Sequence, residues 1–307
     1  MIGWGIIGVG DVTEVKSAPV VFRADDSDVV HVMRRNADKA RDFADRHGIG
    51  RWSTDAQSVI DDPDVTAVYV ATPTDSHAQY AIAAAQAGKH VLVEKPIAMS
   101  AAEGRRILDA AQDAGVRVWV AYYRRAMPRF VKLGELLQAG TIGEVLSVHT
   151  TWRKPNDFTG WRWDPARNRG GEFYETACHT LDLLDHLLGP ATDVAGVASD
   201  DLHAVTASYR FGEVVGSGTW TFGTPDDLEE TVLTGTAGTL TFSSFSPTPI
   251  RLVTATGTTA YDLGYPEHVH GPLLATILDE LRGKGTCPST GESALRTAAL
   301  MDTVLGD

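Results

Sequence analysis

Cysteine is nearly missing from this chain: of 307 residues only Cys178 and Cys287 carry thiols. Two such residues, in neither a CxxC nor a metal-ligand spacing, cannot build a disulfide framework and do not point to structural zinc. Also missing is any apolar run near the roughly 20 residues that a membrane span requires, and the opening MIGWGIIGVGD lacks the basic start of a secretory signal. The expectation is a cytoplasmic protein with no membrane partner. Basic residues are scarce too, 27 Lys and Arg against 40 Asp and Glu, for a net charge of -13. No basic patch is long enough to track phosphates, which argues against nucleic acid as a partner; an anionic ligand would need a local Arg or Lys cluster. What is present is an ordinary globular composition, 43% hydrophobic and 22% charged, with length for two domains, each with its own core.

The stretch that organises the rest is VLVEKPIAM, Val91 to Met99, where an apolar run stops at Glu94, Lys95 and Pro96. Such a run reads as a strand buried on both faces of a parallel sheet, and its carboxyl end is where open α/β sheets place ligands. Lys95 therefore stands where chemistry is expected, the alternative being an exposed strand-end lysine.

Upstream, Ile2 to Val9 is a short strand running into Gly8, Val9, Gly10, Asp11, Val12 and Thr13. In strand-GxG-helix, the first Gly makes the tight turn and the second lets backbone approach a pyrophosphate. Thr13 stands where a third Gly or Ala is usual. Pro19 breaks the helix that follows, with Ser17 placed to cap a restart. A second strand, Val29 to Met33, ends at Arg34 and Arg35, about 20 residues after the turn, where the adenine ribose lies in such folds. An acidic residue there would hold both ribose hydroxyls, whereas Arg34 suits a 2'-phosphate, so NADP is preferred over NAD; the alternative is that Arg34 and Arg35 only end the strand and face water. Helices at Ala37 to His47 and Ala78 to Ala87 alternate with strands at Val65 to Ala71 and His90 to Val93, the rhythm of a parallel sheet. Thr72, Pro73, His77, Glu94 and Lys95 would line the nicotinamide side, with His77 a first-turn surface residue rather than a catalyst.

A helix from Ala101 to Ala114 and a strand from Arg117 to Ala121 complete a first domain, 1–121. The second, 122–307, reads as a helix over 126–139, a strand from Val145, and an aromatic segment with Trp152, Trp161 and Trp163. Then come a helix from Glu172 to Leu188 and β-type runs from 192 to 255 that fit an antiparallel sheet open on one face. Two helices close the chain, Gly271 to Arg282 and Glu292 to Val304, and are free to pack back on the first domain.

Glu175, His179, Asp182 and His186 share one stripe of the 172–188 helix. That stripe faces either a functional cleft or, as on any amphipathic surface helix, water.

Strand-GxG-helix, then EKP at 94–96, then GG-x3-E-x3-H-x2-D from Gly170 to Asp182 occur in that order, and AYYRR at Ala121 and CPSTGES at Cys287 accompany them. The set resembles the glucose-fructose oxidoreductase, inositol dehydrogenase and rhizopine catabolism (Gfo/Idh/MocA) family over essentially the whole chain. The resemblance implies an N-terminal doubly wound Rossmann domain, a C-terminal α/β domain on a mostly antiparallel open sheet, no metal, and homodimers or homotetramers built through that sheet. It also implies that Lys95 is the catalytic lysine, Pro96 the proline often in cis linkage, and His179 the catalytic histidine. Glu175 stands where Asp is usual, one methylene longer.

Hydride transfer at a carbon bearing oxygen needs a proton moved at that oxygen by a group titrating near the working pH, which suits His179. Lys95 would stabilise developing negative charge, or relay the proton, and Glu175 would orient one of them. Trp152, Trp161 and Trp163 could stack on a sugar while Tyr123, Arg124, Arg153 and Arg162 bind hydroxyls or a carboxylate; equally, the aromatics pack a long loop. The expected function is an NADP-dependent oxidoreductase for a small sugar or polyol-like substrate, the alternative a catalytically silent NADP-binding sensor.

Overall fold

Apolar runs alternating with helices give the first half of the chain a parallel sheet. In the computed structural model, which describes residues 1–17, 19–156, 158–160, 163–164 and 167–306, six strands line up: β1 (Ile2–Ile7), β2 (Ser27–Met33), β3 (Arg51–Ser53), β4 (Ala67–Val70), β5 (His90–Val93) and β6 (Val118–Val120). Their order is β3-β2-β1-β4-β5-β6, all parallel. This is the doubly wound arrangement, whose order reverses between β1 and β4. The helices are α1 (Asp11–Val15), α2 (Ala37–His47), α3 (Ala56–Ile60), α4 (His77–Gln86) and α5 (Ala101–Ala114). Serine and glycine set the limits of α5: Ser100 Oγ accepts from Glu103 N, and Gly115 ends the helix in the left-handed region.

The first helix is broken as the proline suggested, with a 3-10 turn over Pro19–Phe22. Ser17, however, is buried with its hydroxyl on the Tyr69 phenol at 3.2 Å, so it serves the core rather than a cap. In this half of the chain two short elements, β3 and α3, have no counterpart among the elements expected from sequence. Each is too short to show a period.

By chain contacts, Met1–Tyr123 and Pro266–Leu295 form one unit, and Arg124–Tyr265 with the chain from Arg296 onward form the other. Helix α8 (Gly271–Leu281) belongs to the first, and the division at Leu295 falls within α9 (Gly291–Leu305). The second unit holds α6 (Pro128–Gln138), α7 (Gly171–Leu188) and eight strands: β7 (Val145–Lys154), β8 (Ala191–Ala198), β9 (Ala204–Phe211), β10 (Val214–Phe222), β11 (Leu228–Gly235), β12 (Gly238–Phe242), β13 (Ile250–Thr254) and β14 (Gly257–Tyr261). They run β14-β13-β12-β11-β7-β10-β9-β8, antiparallel except for β7 beside β10. Val205, Ala207, Tyr209 and Phe211 of β9 are buried while Ala204, Thr206 and Ser208 between them are exposed, the alternation of a sheet with one open face. Val197 and Val215 stand on that face with His149, Ser217 and Thr219.

Helix α7 corrects the amphipathic reading: Gly171 and Phe173 through Asp185 are buried, so Glu175, His179 and Asp182 do not form a solvated stripe. Asp182 is structural. Arg125, buried itself, donates from Nε and Nη2 to its carboxylate at 2.8 and 2.7 Å and from Nη2 to Asp185 at 3.0 Å, and Arg296 closes on Asp185 at 2.7 Å. Removing one member of a buried pair leaves the other charge uncompensated, at a cost of about 3 to 5 kcal/mol. Arg125→Met should therefore lower the urea midpoint by that equivalent, and a loss of less than about 1 kcal/mol would show that the cluster is hydrated.

Candidate active site

Gly8 lies at φ +103, and a Cβ on it would sit 2.7 Å from the carbonyl oxygen of Ala71, so only glycine lets the β1 turn pass the end of β4. The Gly8 and Val9 amides both donate to Met33 O, which brings Arg34 to the same corner. Thr13 takes up the work of the missing third glycine: its hydroxyl accepts from Gly10 N at 2.7 Å and donates to Gly10 O at 2.8 Å. Space for a ligand stays open over Gly10, where a Cβ would meet nothing within 4 Å. Asp11 is exposed and Val12 half-buried. Among the described residues the guanidinium groups of Arg34 and Arg35 have no hydrogen-bond or ion-pair partner, Arg34 half-buried and Arg35 exposed. An open glycine turn at the switch point fits a dinucleotide.

Past β4, Thr72 and Pro73 are half-buried, and His77 departs from its expected surface position. It is buried, with Nδ1 2.8 Å from Pro96 O and Nε2 2.8 Å from Thr72 O, so its ring ties the end of β4 to that of β5. The Lys95-Pro96 peptide is cis. Lys95 itself is half-buried, directly after Glu94, whose Oε1 accepts from the Tyr69 phenol at 2.6 Å and lies 3.7 Å from His270 Nε2. Tyr123 packs its ring on His270 at 4.8 Å. Burial alone pushes the Glu94 carboxyl up, but His270, the Tyr69 phenol and the ammonium groups of Lys95 and Lys16 outweigh it and hold the carboxyl below the usual carboxylate range. Tyr69 moves the other way: burial first, then the Glu94 charge, pushes its phenol well above the ordinary value.

In the second unit, Glu175 and His179 are one turn apart on α7 and both are buried. The His179 ring meets Phe245 edge-on at 5.4 Å, and Phe245 meets Trp152 at 4.6 Å. Trp152 is buried on β7, and strand alternation turns Arg153 to the other face, where it pairs with Asp226 at 2.7 Å. The two therefore do not line one surface, which corrects their grouping. Arg124 is buried, with Nε on Ser244 O at 2.6 Å and its guanidinium over the Phe245 ring at 4.2 Å. Trp163 packs against Phe158, His203 and Phe222. Trp161 and Arg162 lie outside the described residues. Phe245 gave no sequence signal, since SSFS reads as an ordinary loop.

Among the described residues no helix is long and apolar enough to cross a membrane, and no three His, Cys, Asp or Glu side chains gather as a metal site. A doubly wound sheet with a glycine turn open for pyrophosphate at its switch point defines a dinucleotide-binding class of domain. Residues 2–122 match the family described as oxidoreductase, NAD-binding Rossmann fold, and residues 130–241 match the GFO/IDH/MocA C-terminal domain. The chain belongs to the Gfo/Idh/MocA oxidoreductase family. It is 34% identical to Oxidoreductase P35 of Formosa agariphila over 99% of this chain and 98% of that protein. To the levoglucosan dehydrogenase of Pseudarthrobacter phenanthrenivorans it is 32% identical over 65% of this chain, spanning about half (53%) of that relative. A solved levoglucosan dehydrogenase in complex with NADH and levoglucosan has the same fold, with a TM-score of 0.87 at 24% identity, covering 99% of this chain and 97% of that one.

The Glu94 network yields a pH-dependent expectation. Tyr69→Phe removes a hydrogen bond to a buried charge and should cost about 1.5 to 3 kcal/mol near neutral pH. Because the folded pKa of Glu94 lies below its unfolded value, its contribution is present above that unfolded value, about 4.3, and is lost as pH falls through the folded one. The gap between wild type and variant should shrink on acidification. Urea titrations at about pH 7 and about pH 3.5 check this, and a gap that widened in acid would contradict the assignment.

Proposed function

We propose that the protein is an NADP-dependent oxidoreductase that transfers a hydride between nicotinamide and a sugar, polyol or related carbonyl or hydroxyl substrate. The observation that carries the reading is Lys95 at the carboxyl end of β5, in a sheet whose glycine turn is open to a dinucleotide and flanked by Arg34 and Arg35, whose guanidinium groups have no partner among the described residues. Gly8, Gly10, Asp11 and Val12 would hold the pyrophosphate, Arg34 and Arg35 the 2'-phosphate, and Thr72, Pro73, His77, Glu94 and Lys95 the nicotinamide side. When bound, the nicotinamide supplies or accepts the hydride. The chain's own task is then the proton on the substrate oxygen.

His179 suits that task as acid and base, Lys95 as the cation that offsets negative charge developing on oxygen, and Glu175 as the group that orients. Tyr123, Arg124 and Trp152 are the substrate-side candidates among the described residues, and Trp161 and Arg162 stay candidates from sequence. The name of the levoglucosan dehydrogenase relative supports an anhydro-sugar or sugar substrate class. The open sheet face, carrying Val197 and Val215, supports self-association through the second unit.

Lys95→Ala and His179→Ala should each lower kcat by roughly 100-fold or more while leaving cofactor affinity within a few-fold, as loss of a positioned protonic group does. Steady-state kinetics with direct cofactor titration measure both, and an unchanged kcat in the two variants would remove these residues from the chemistry. For the coenzyme, one charge-assisted contact from Arg34 is worth about 1.5 to 3 kcal/mol, so NADPH should bind roughly 10- to 150-fold more tightly than NADH. Arg34→Asp should reverse much of that preference. Equal wild-type affinities for the two would show that Arg34 reads no phosphate.

A further inference from the structure

The loop after β12 is short, polar and unusually well tied. The Glu229 carboxylate accepts from the Ser243 hydroxyl, from Ser244 N at 2.9 Å and from Phe245 N at 3.2 Å. Ser244 is held twice more, by Arg124 Nε on its carbonyl and by the Thr180 hydroxyl of α7 at 3.1 Å. Arg129, itself buried, donates to Ser246 O and Thr248 O at 2.8 and 2.7 Å. Two buried arginines and a glutamate thus fix a loop whose one large apolar side chain, Phe245, remains half-exposed. A loop ring left only to fill space would be expected to turn inward, since hydrophobic burial favours it.

Phe245 instead is clamped where it stands. The Arg124 guanidinium covers the ring at 4.2 Å, Trp152 meets it at 4.6 Å with planes at 80°, and His179 meets it at 5.4 Å, also at 80°. An aromatic surface that is immobilised before binding and touches the imidazole assigned to proton transfer loses little entropy when a ligand covers it. We propose that Phe245 is the specificity-determining wall of the substrate site, on which the apolar C–H face of a pyranose ring lies while His179 reaches the reacting hydroxyl or carbonyl. This rests on the sugar-oxidoreductase reading above. An acyclic polyol presents no such flat face, so the ring selects cyclic over open-chain substrates.

The test is steady-state kinetics of wild type, Phe245→Ala and Phe245→Leu on a panel of pyranoses and acyclic polyols at saturating NADP(H). In Phe245→Ala the KM for pyranoses should rise by roughly tenfold with kcat within about threefold, while KM for acyclic polyols stays within about twofold. Phe245→Leu, which keeps apolar bulk without a flat face, should move the same way by a smaller factor. An unchanged pyranose-to-polyol ratio of kcat/KM in both variants overturns the proposal. A kcat loss equal for both substrate types also overturns it, since that reports a loop that merely supports His179. Wild type that turns over polyols but no pyranose overturns this inference alone. Wild type that turns over neither overturns the functional reading together with it.

Discussion

A charge taken out of water costs several kcal/mol unless fixed partners replace its hydration. Both units are arranged around that requirement. In the first, the buried carboxylate of Glu94 draws in the Tyr69 phenol from β4 and His270 from the turn before α8, and Tyr123 stacks on His270. Lys95 follows Glu94 directly, so a residue assigned to chemistry inherits its position from a neighbour that the core cannot release. In the second, Asp182 and Asp185 hold Arg125, which lies one residue after Arg124 and four before Arg129. Because all three arginines are buried, each has to find acceptors, and two of them find these in the carbonyls of the 244–248 loop. The loop is thereby made rigid without an apolar core of its own.

How much of this could be read from sequence follows the range of the forces involved. Local signals are legible: the glycine turn, the alanine-rich helical segment of α2 and the β-type runs at β9 and β10 all lie within a few residues. The three-residue β3 and the five-residue α3 were not, because neither is long enough to show a period, and β14, a mostly exposed edge strand of small polar residues, lacks the apolar alternation that marks the others. Long-range pairings were invisible for a different reason. Nothing near His77 announces that its ring will bridge Pro96 O and Thr72 O, and nothing in SSFS announces that Phe245 will meet His179. The polar stripe on α7 shows the same limit: spacing gave the stripe, but whether it faced water or a buried arginine depended on Arg125, 57 residues away from Asp182.

The arginines show why residue type alone does not assign a role. By type, Arg34 and Arg35 suit a 2'-phosphate, and Arg124 and Arg153 suit hydroxyls or a carboxylate. Arg153 is on the outer face of β7 and paired with Asp226, both partly exposed, a contact worth little to stability that still occupies its fork. Arg124 is spent on Ser244 O and the Phe245 ring, so its influence on a ligand passes through that ring. Arg34 and Arg35 alone of this group have no partner among the described residues, and they stand in a chain whose net charge of -13 disfavours anions elsewhere on its surface. A phosphate at the glycine turn would meet two cations that give up no contact with the described residues to bind it. The free energy of such a contact is not already committed to the fold, and on this the proposed assignment of Arg34 and Arg35 to a phosphate rests.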